Sequence, residues 1–112
     1  MTRLFQVAAW LCLAAIGVLS LVAPSLRPVT FLPHDFEHVA IFSLAGLAIG
    51  LGYPNRATQH MIALTLFAAA VELAQFYAPG RHPRVSDFMV DALGAGVGIV
   101  IALMLTRLRA VR

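Results

Sequence analysis

Four long apolar stretches, separated by short polar segments, dominate the pattern of the chain. They cover about residues 4–23, 36–51, 61–77 and 88–105. Proline, glycine and arginine cluster at their boundaries, and such residues end helices or mark turns. None of the four stretches alternates apolar and polar residues, as a strand of a membrane barrel would. Because a backbone in lipid must satisfy its own hydrogen bonds, the pattern predicts four membrane-spanning helices.

Composition strengthens the prediction of a membrane protein. Hydrophobic residues make up 61% of the 112 residues, charged residues only 12%, and the mean hydropathy is +0.88. Soluble domains contain about 45–50% apolar residues, and a soluble domain of this size has too little interior to bury the excess. The length favours one domain over residues 1–112. We therefore expect an all-α, integral membrane four-helix bundle.

The first apolar stretch is expected to be a retained spanning helix rather than a cleaved signal peptide. It is longer than the apolar core of a signal peptide, which spans about 7–15 residues. The only cysteine, Cys12, lies inside this stretch, so a disulfide within the chain is excluded. We interpret Cys12 as a buried apolar thiol.

All eight basic residues are arginines, and they lie near the ends of the apolar stretches. Cytoplasmic loops of membrane proteins carry an excess of basic residues, so the pattern predicts that both termini are cytoplasmic. In this orientation the outer loops contain Arg27, Arg81 and Arg84. The scattered arginines argue against a nucleic-acid partner, and membrane lipids are the expected partners. The cytoplasmic ends contain Arg3, Arg56, Arg107, Arg109 and Arg112.

Acidic residues occur at the ends of the stretches that are predicted to face outward. Glu72 and Asp91 stand inside apolar sequence, where a charged side chain costs about 2.5–3.5 kcal/mol to insert. The short loop between the third and fourth stretches makes these two helices antiparallel neighbours, so Glu72 and Asp91 are expected to face each other. His38, on the second stretch, reaches a similar depth. The sequence therefore predicts a polar pocket beneath the outer leaflet, built from three helices.

Acid–base chemistry is one use of such a pocket. The candidate catalytic residues are Glu72, Asp91 and His38, since neighbouring carboxyl groups in a low dielectric can share a proton. His38 with carboxylates could also ligate a metal ion, but no compact metal motif is present. We predict no metal site, and the residues indicate no particular cofactor. A purely structural alternative is that these groups form hydrogen bonds between helices.

Ligand binding is the other use. Arg81 and Arg84 can hold a phosphate or carboxylate through paired hydrogen bonds, and Gln75, Ser86 and Asp87 are the remaining candidates for ligand binding. Asp87 is equally well explained as a helix cap, because it follows a serine where the fourth helix is predicted to start. His60, outside this set, is expected at the interface without a specific role.

Two G-x-x-x-G spacings lie in the second and fourth stretches. Small residues at this interval let two helix backbones approach closely. The spacing predicts helix packing through Gly46, Gly50, Gly94 and Gly98.

The order of these polar residues and glycines resembles that of the VanZ-like membrane proteins. The resemblance extends over about residues 34–100. It departs from the family pattern at His34-Asp35, where an Asp-Lys pair is common, and at Asp91, where Asn is common. The residues that carry it are Glu37-His38, Glu72, Gln75, Pro79-Gly80-Arg81, Ser86-Asp87, Asp91, Gly94 and Gly98.

The resemblance implies a multi-pass protein of the bacterial inner membrane. The founding member of the family is associated with low-level resistance to the glycopeptide teicoplanin, so a role in the cell envelope or in antibiotic resistance is expected. Our first hypothesis is that the pocket binds an anionic envelope lipid or a glycopeptide. The alternatives are an acid–base or metal-assisted enzyme acting on a lipid or glycopeptide, and a structural or accessory membrane subunit. The sequence leaves a homo-oligomer open.

Overall fold

The computed structural model of the protein describes residues 2–21, 34–75 and 85–111. The described part of the chain forms four α-helices: α1 (Thr2–Leu21), α2 (His34–Gly52), α3 (Ala57–Gln75) and α4 (Val85–Val111). They pack into a bundle, which confirms the predicted all-α four-helix fold.

Three of the described helices are long and apolar enough to cross a membrane, namely α1, α3 and α4. The apolar part of α2, Phe36–Gly52, is shorter, although it lies near the lower end of the range of about 17–25 residues found in spanning helices. These lengths support an integral membrane bundle.

Helices α2 and α4 form the most extensive pair in the bundle and run parallel to each other. Helix α1 packs antiparallel on α2, and the side-chain amide of Gln6 near its start donates to the carbonyl of Gly52 at 2.9 Å. The indole of Trp10 donates to the hydroxyl of Tyr53 at 3.0 Å and ties the same two helices. Helix α3 packs antiparallel on α4, where Met61 lies against Gly96.

Four glycines allow α2 and α4 to approach closely. A Cβ atom added to Gly50 would lie 2.5 Å from the Cβ of Ala102, and one added to Gly94 would lie 2.9 Å from the carbonyl oxygen of Val39. At Gly46 and Gly98 an added Cβ would overlap backbone carbonyl oxygens of the facing helix. Only glycine therefore leaves room for this helix pair at these positions.

The bundle has small residues inside and large apolar residues outside. Its core contains several alanines together with a few larger side chains such as Phe42 and Leu64. In contrast, Trp10, Leu66 and Leu93 each expose more than 60% of their surface. An exterior of this kind would be unfavourable in water but matches the hydrocarbon of a bilayer.

Two helix ends extend beyond the predicted apolar stretches. Helix α3 begins at Ala57 rather than near residue 61, and α4 continues to Val111 rather than ending near residue 105. Both extensions contain polar residues, since hydropathy marks the apolar part of a helix and not its hydrogen-bonded ends. Within the first extension His60 is buried, and its Nε2 donates to the carbonyl of Tyr53 at 2.8 Å. His60 is therefore more buried than expected for an interfacial residue, and the prediction that it has no specific role stays a prediction.

Candidate functional site

A histidine–aspartate contact forms the centre of the candidate site. Asp91 lies six residues into α4 and His38 four residues into α2. Because α2 and α4 run parallel in this register, the two side chains meet, with 2.7 Å between His38 Nδ1 and Asp91 Oδ1. Asp91 is completely buried, and the His38 side chain is 12% exposed.

Because Asp91 is buried, its carboxyl group depends on partners within the protein. A carboxyl group taken out of water needs hydrogen bonds or an opposite charge, and His38 supplies one contact, donating from Nδ1 when the carboxylate is ionised. The second oxygen, Oδ2, is also buried and has no hydrogen-bond partner among the described residues. Asp91 therefore retains an unused acceptor within the bundle, which can receive a proton or a hydrogen bond from a water molecule or ligand.

Ser43 forms a second hydrogen bond between α2 and α4, farther along α2 than His38. Its hydroxyl donates to the carbonyl of Gly94 at 3.0 Å. The sequence analysis did not predict a contact for Ser43, although a single hydroxyl residue within an apolar stretch is an indication of a hydrogen bond between helices. Its contact holds the α2–α4 register that joins His38 to Asp91.

Glu72 and Gln75 enter the bundle from α3. Both are 7% exposed and continue the buried face of this helix, which also includes Leu64 and Ala68. Because α3 runs antiparallel to α4, Glu72 and Gln75 lie at the end of the bundle where α4 starts. The expected contact between Glu72 and Asp91 stays a prediction.

Ser86 and Asp87 occupy the first turn of α4. Ser86 is exposed, and Asp87 is partly buried one turn above Asp91. Asp87 lies in the first turn of the described part of α4, where a carboxylate interacts favourably with the helix dipole. Its two interpretations, as a helix cap and as a ligand-binding residue, both stay predictions.

The structure brings some of the predicted site residues together, and others lie outside the described part of the chain. His38 and Asp91 touch, and Glu72, Gln75 and Asp87 belong to the same end of the bundle. Arg81 and Arg84 lie outside the described residues. Within residues 2–21, 34–75 and 85–111, no three histidine, cysteine, aspartate or glutamate side chains are grouped so that they could hold a metal ion.

These features define an integral membrane helical bundle with a buried polar centre. The family model VanZ/LLP1 matches residues 4–106 of the chain. The chain therefore belongs to the VanZ/LLP1 family, as the order of its polar residues predicted. No curated protein and no solved structure matches it.

Proposed function

We propose that this VanZ-like protein crosses the bacterial inner membrane several times and binds a polar or anionic group of the cell envelope in an outward-facing pocket. The observation that carries the proposal is Asp91, which is fully buried, contacts His38 and keeps a second oxygen with no hydrogen-bond partner among the described residues. A carboxyl group held at membrane depth is a functional candidate because its insertion is unfavourable.

The chemistry of the site suggests which residues would contact each chemical group of a ligand. Carboxylates accept hydrogen bonds, so Asp91 and Glu72 suit hydroxyl, amide or ammonium groups of a ligand. A phosphate or carboxylate needs positive charge, which Arg81 and Arg84 would supply. A lipid headgroup or a glycopeptide carries both kinds of group. Gln75, Ser86 and Asp87 would orient the ligand near the mouth of the pocket.

The founding member of the family is associated with teicoplanin resistance, and this association supports a role for the proposed pocket in glycopeptide resistance. We propose that the protein acts in envelope physiology and lowers sensitivity to teicoplanin-type antibiotics by holding an envelope lipid or the glycopeptide itself. A homo-oligomer is compatible with this role, because each chain would contribute its own pocket.

Susceptibility measurements test the proposal. A strain lacking the protein is complemented with unaltered protein or with Asp91→Asn, Glu72→Gln or Arg81→Ala at equal membrane abundance. We expect each variant to lose most of the protection against teicoplanin. The matched control is Gln59→Ala, an exposed position on α3, which should protect like the unaltered protein. Full protection by all three site variants would contradict the proposal.

An acid–base enzyme is a second candidate, and the contact between His38 and Asp91 favours it. A carboxylate that orients a histidine is a recurring arrangement in general acid–base catalysis. Incubating purified protein with labelled envelope lipids and following product formation separates the two functions. Turnover that is lost in Asp91→Asn while lipid binding persists would establish the enzyme; binding without turnover favours the binding protein.

A further inference from the structure

The end of the bundle opposite Asp91 contains a small polar cavity. It has a volume of about 20 Å³ and is lined by residues of the α2–α3 turn and of α4, among them Tyr53, Arg56, His60 and Thr106. A cavity of this size accommodates about one water molecule. It is therefore too small for a headgroup by itself, but it is lined by Arg56, whose side chain is exposed.

A much larger apolar groove adjoins this cavity. It lies between the first turns of α3 and the middle of α4, over about residues 92–103, and has a volume of about 580 Å³. Its lining includes Met61, Leu93 and Gly96. The cavity and the groove share Ala57, Ile99 and Leu103, so they form one continuous surface that is polar at the end of the bundle and apolar at depth.

The same end of the bundle is strongly basic. Arg3 at the start of α1, Arg56 in the α2–α3 turn, and Arg107 and Arg109 at the end of α4 all lie there and are exposed. All five acidic residues of the sequence belong to the opposite half of the bundle. The charge beside the groove is therefore positive and uncompensated by carboxylates.

We infer that the groove holds one anionic phospholipid from the leaflet at the arginine-rich end. An acyl chain lies in the apolar groove, and the phosphate contacts Arg56. The volume falls within the range of about 300–1,000 Å³ found for small-molecule sites, and basic residues at this position attract anionic headgroups. A second copy is a poorer occupant, because copies inserted in the same orientation bring their arginine-rich ends together.

Native mass spectrometry of the full chain in mild detergent tests the site. The probes are phosphatidylglycerol and phosphatidylcholine with identical acyl chains. We expect one phosphatidylglycerol to be retained per chain in preference to phosphatidylcholine. Equal retention of the two lipids, or of many copies of either, would overturn the inference and indicate a nonspecific lipid shell.

Two substitutions separate the charged and apolar parts of the site. Arg56→Gln is expected to weaken phosphatidylglycerol binding about fivefold, whereas Arg109→Gln, at the same end but away from the cavity, should weaken it less. Gly96→Leu projects a side chain into the groove and should displace the lipid. Its control is Gly17→Leu, because a Cβ atom added at Gly17 meets no atom within 4 Å. Equal effects within either pair would overturn the inference.

The oligomeric state of the variants distinguishes a lipid site from a protein interface. A change from one oligomeric state to another in Gly96→Leu would show that the groove is a protein interface and would refute the lipid site. Since Asp91 lies at the opposite end, Arg56→Gln and Gly96→Leu are expected to weaken phosphatidylglycerol binding by the same factor whether position 91 is Asp or Asn. The experiments can therefore refute the lipid site without refuting the envelope pocket, and the envelope pocket without refuting the lipid site.

Discussion

At the scale of the residue, the contact between His38 and Asp91 explains how an acidic group is tolerated in this bundle. A protonated histidine and an ionised aspartate together carry no net charge, and the neutral forms of both residues carry none either. The pair is therefore much less costly to place at membrane depth than either charged residue by itself. Replacing only one member of the pair is therefore expected to destabilise the bundle more than replacing both.

This reasoning predicts the stability of variants of the pair. His38→Leu leaves Asp91 buried without its partner and is expected to destabilise the bundle by about 3–5 kcal/mol. Asp91→Asn keeps a hydrogen-bonding group of similar shape and should cost only about 1 kcal/mol. Circular dichroism during denaturation in detergent measures both values.

The double variant provides the matching control. His38→Leu with Asp91→Leu replaces the pair by apolar side chains, and we expect it to be more stable than His38→Leu alone. The single variant Asp91→Leu completes the cycle, and if the effects of His38→Leu and Asp91→Leu simply add in the double variant, the contact has no energetic role. A loss of teicoplanin protection in a double variant of normal stability would argue against a purely structural or accessory subunit.

At the scale of the helix, the glycines of α2 and α4 determine how closely these helices pack. Gly98 is the most confined of them, because an added Cβ would overlap the carbonyl oxygen of Ser43 and lie 2.7 Å from the backbone nitrogen of Leu47. Backbone atoms cannot move aside as the end of a flexible side chain can. The two helices would have to separate to accommodate any side chain there.

Gly98→Ala is therefore expected to destabilise the protein by about 1–3 kcal/mol through overpacking. The control, Gly17→Ala on α1, adds the same methyl group where no atom lies within 4 Å. It should stabilise its helix by up to about 1 kcal/mol. Thermal unfolding in one detergent compares them, and equal shifts in the melting temperature would contradict close packing at Gly98.

The sequence predicted the helices well because long apolar stretches in a short chain have few other solutions. It placed their ends less accurately, since polar residues such as Thr58 and Thr106 continue a helix without adding to its hydropathy. Helical spacing also identified His38 and Asp91 as inward candidates. It did not identify them as partners, because their contact depends on the rotation of α2 against α4. That rotation is fixed by nonlocal packing at the glycines.

At the scale of the whole molecule, charge is separated along the bundle axis. The described arginines lie at one end, and the acidic residues lie in the other half. Combined with the tendency of basic residues to remain cytoplasmic, this separation supports the prediction that both termini face the cytoplasm. Ser86 and Arg109, at opposite ends of α4, then lie on opposite sides of the membrane.

Cysteine labelling in intact cells tests this orientation. In a Cys12→Ala background, Ser86→Cys is expected to react with a membrane-impermeant maleimide added outside, whereas Arg109→Cys should react only after the cells are opened. Both positions are exposed in the structure. The opposite pattern would reverse the proposed orientation and place the polar pocket on the cytoplasmic side.

The parallel pairing of α2 with α4 has a consequence for biosynthesis. These partners are separated in the chain by α3, which makes only a minor contact with α2. During translation α2 therefore leaves the ribosome well before the helix that covers its glycines and receives the contact of His38. The insertion machinery or a chaperone must protect this unfinished surface until the last quarter of the polypeptide arrives, so a nascent chain arrested after α3 should be a preferred substrate of membrane proteases.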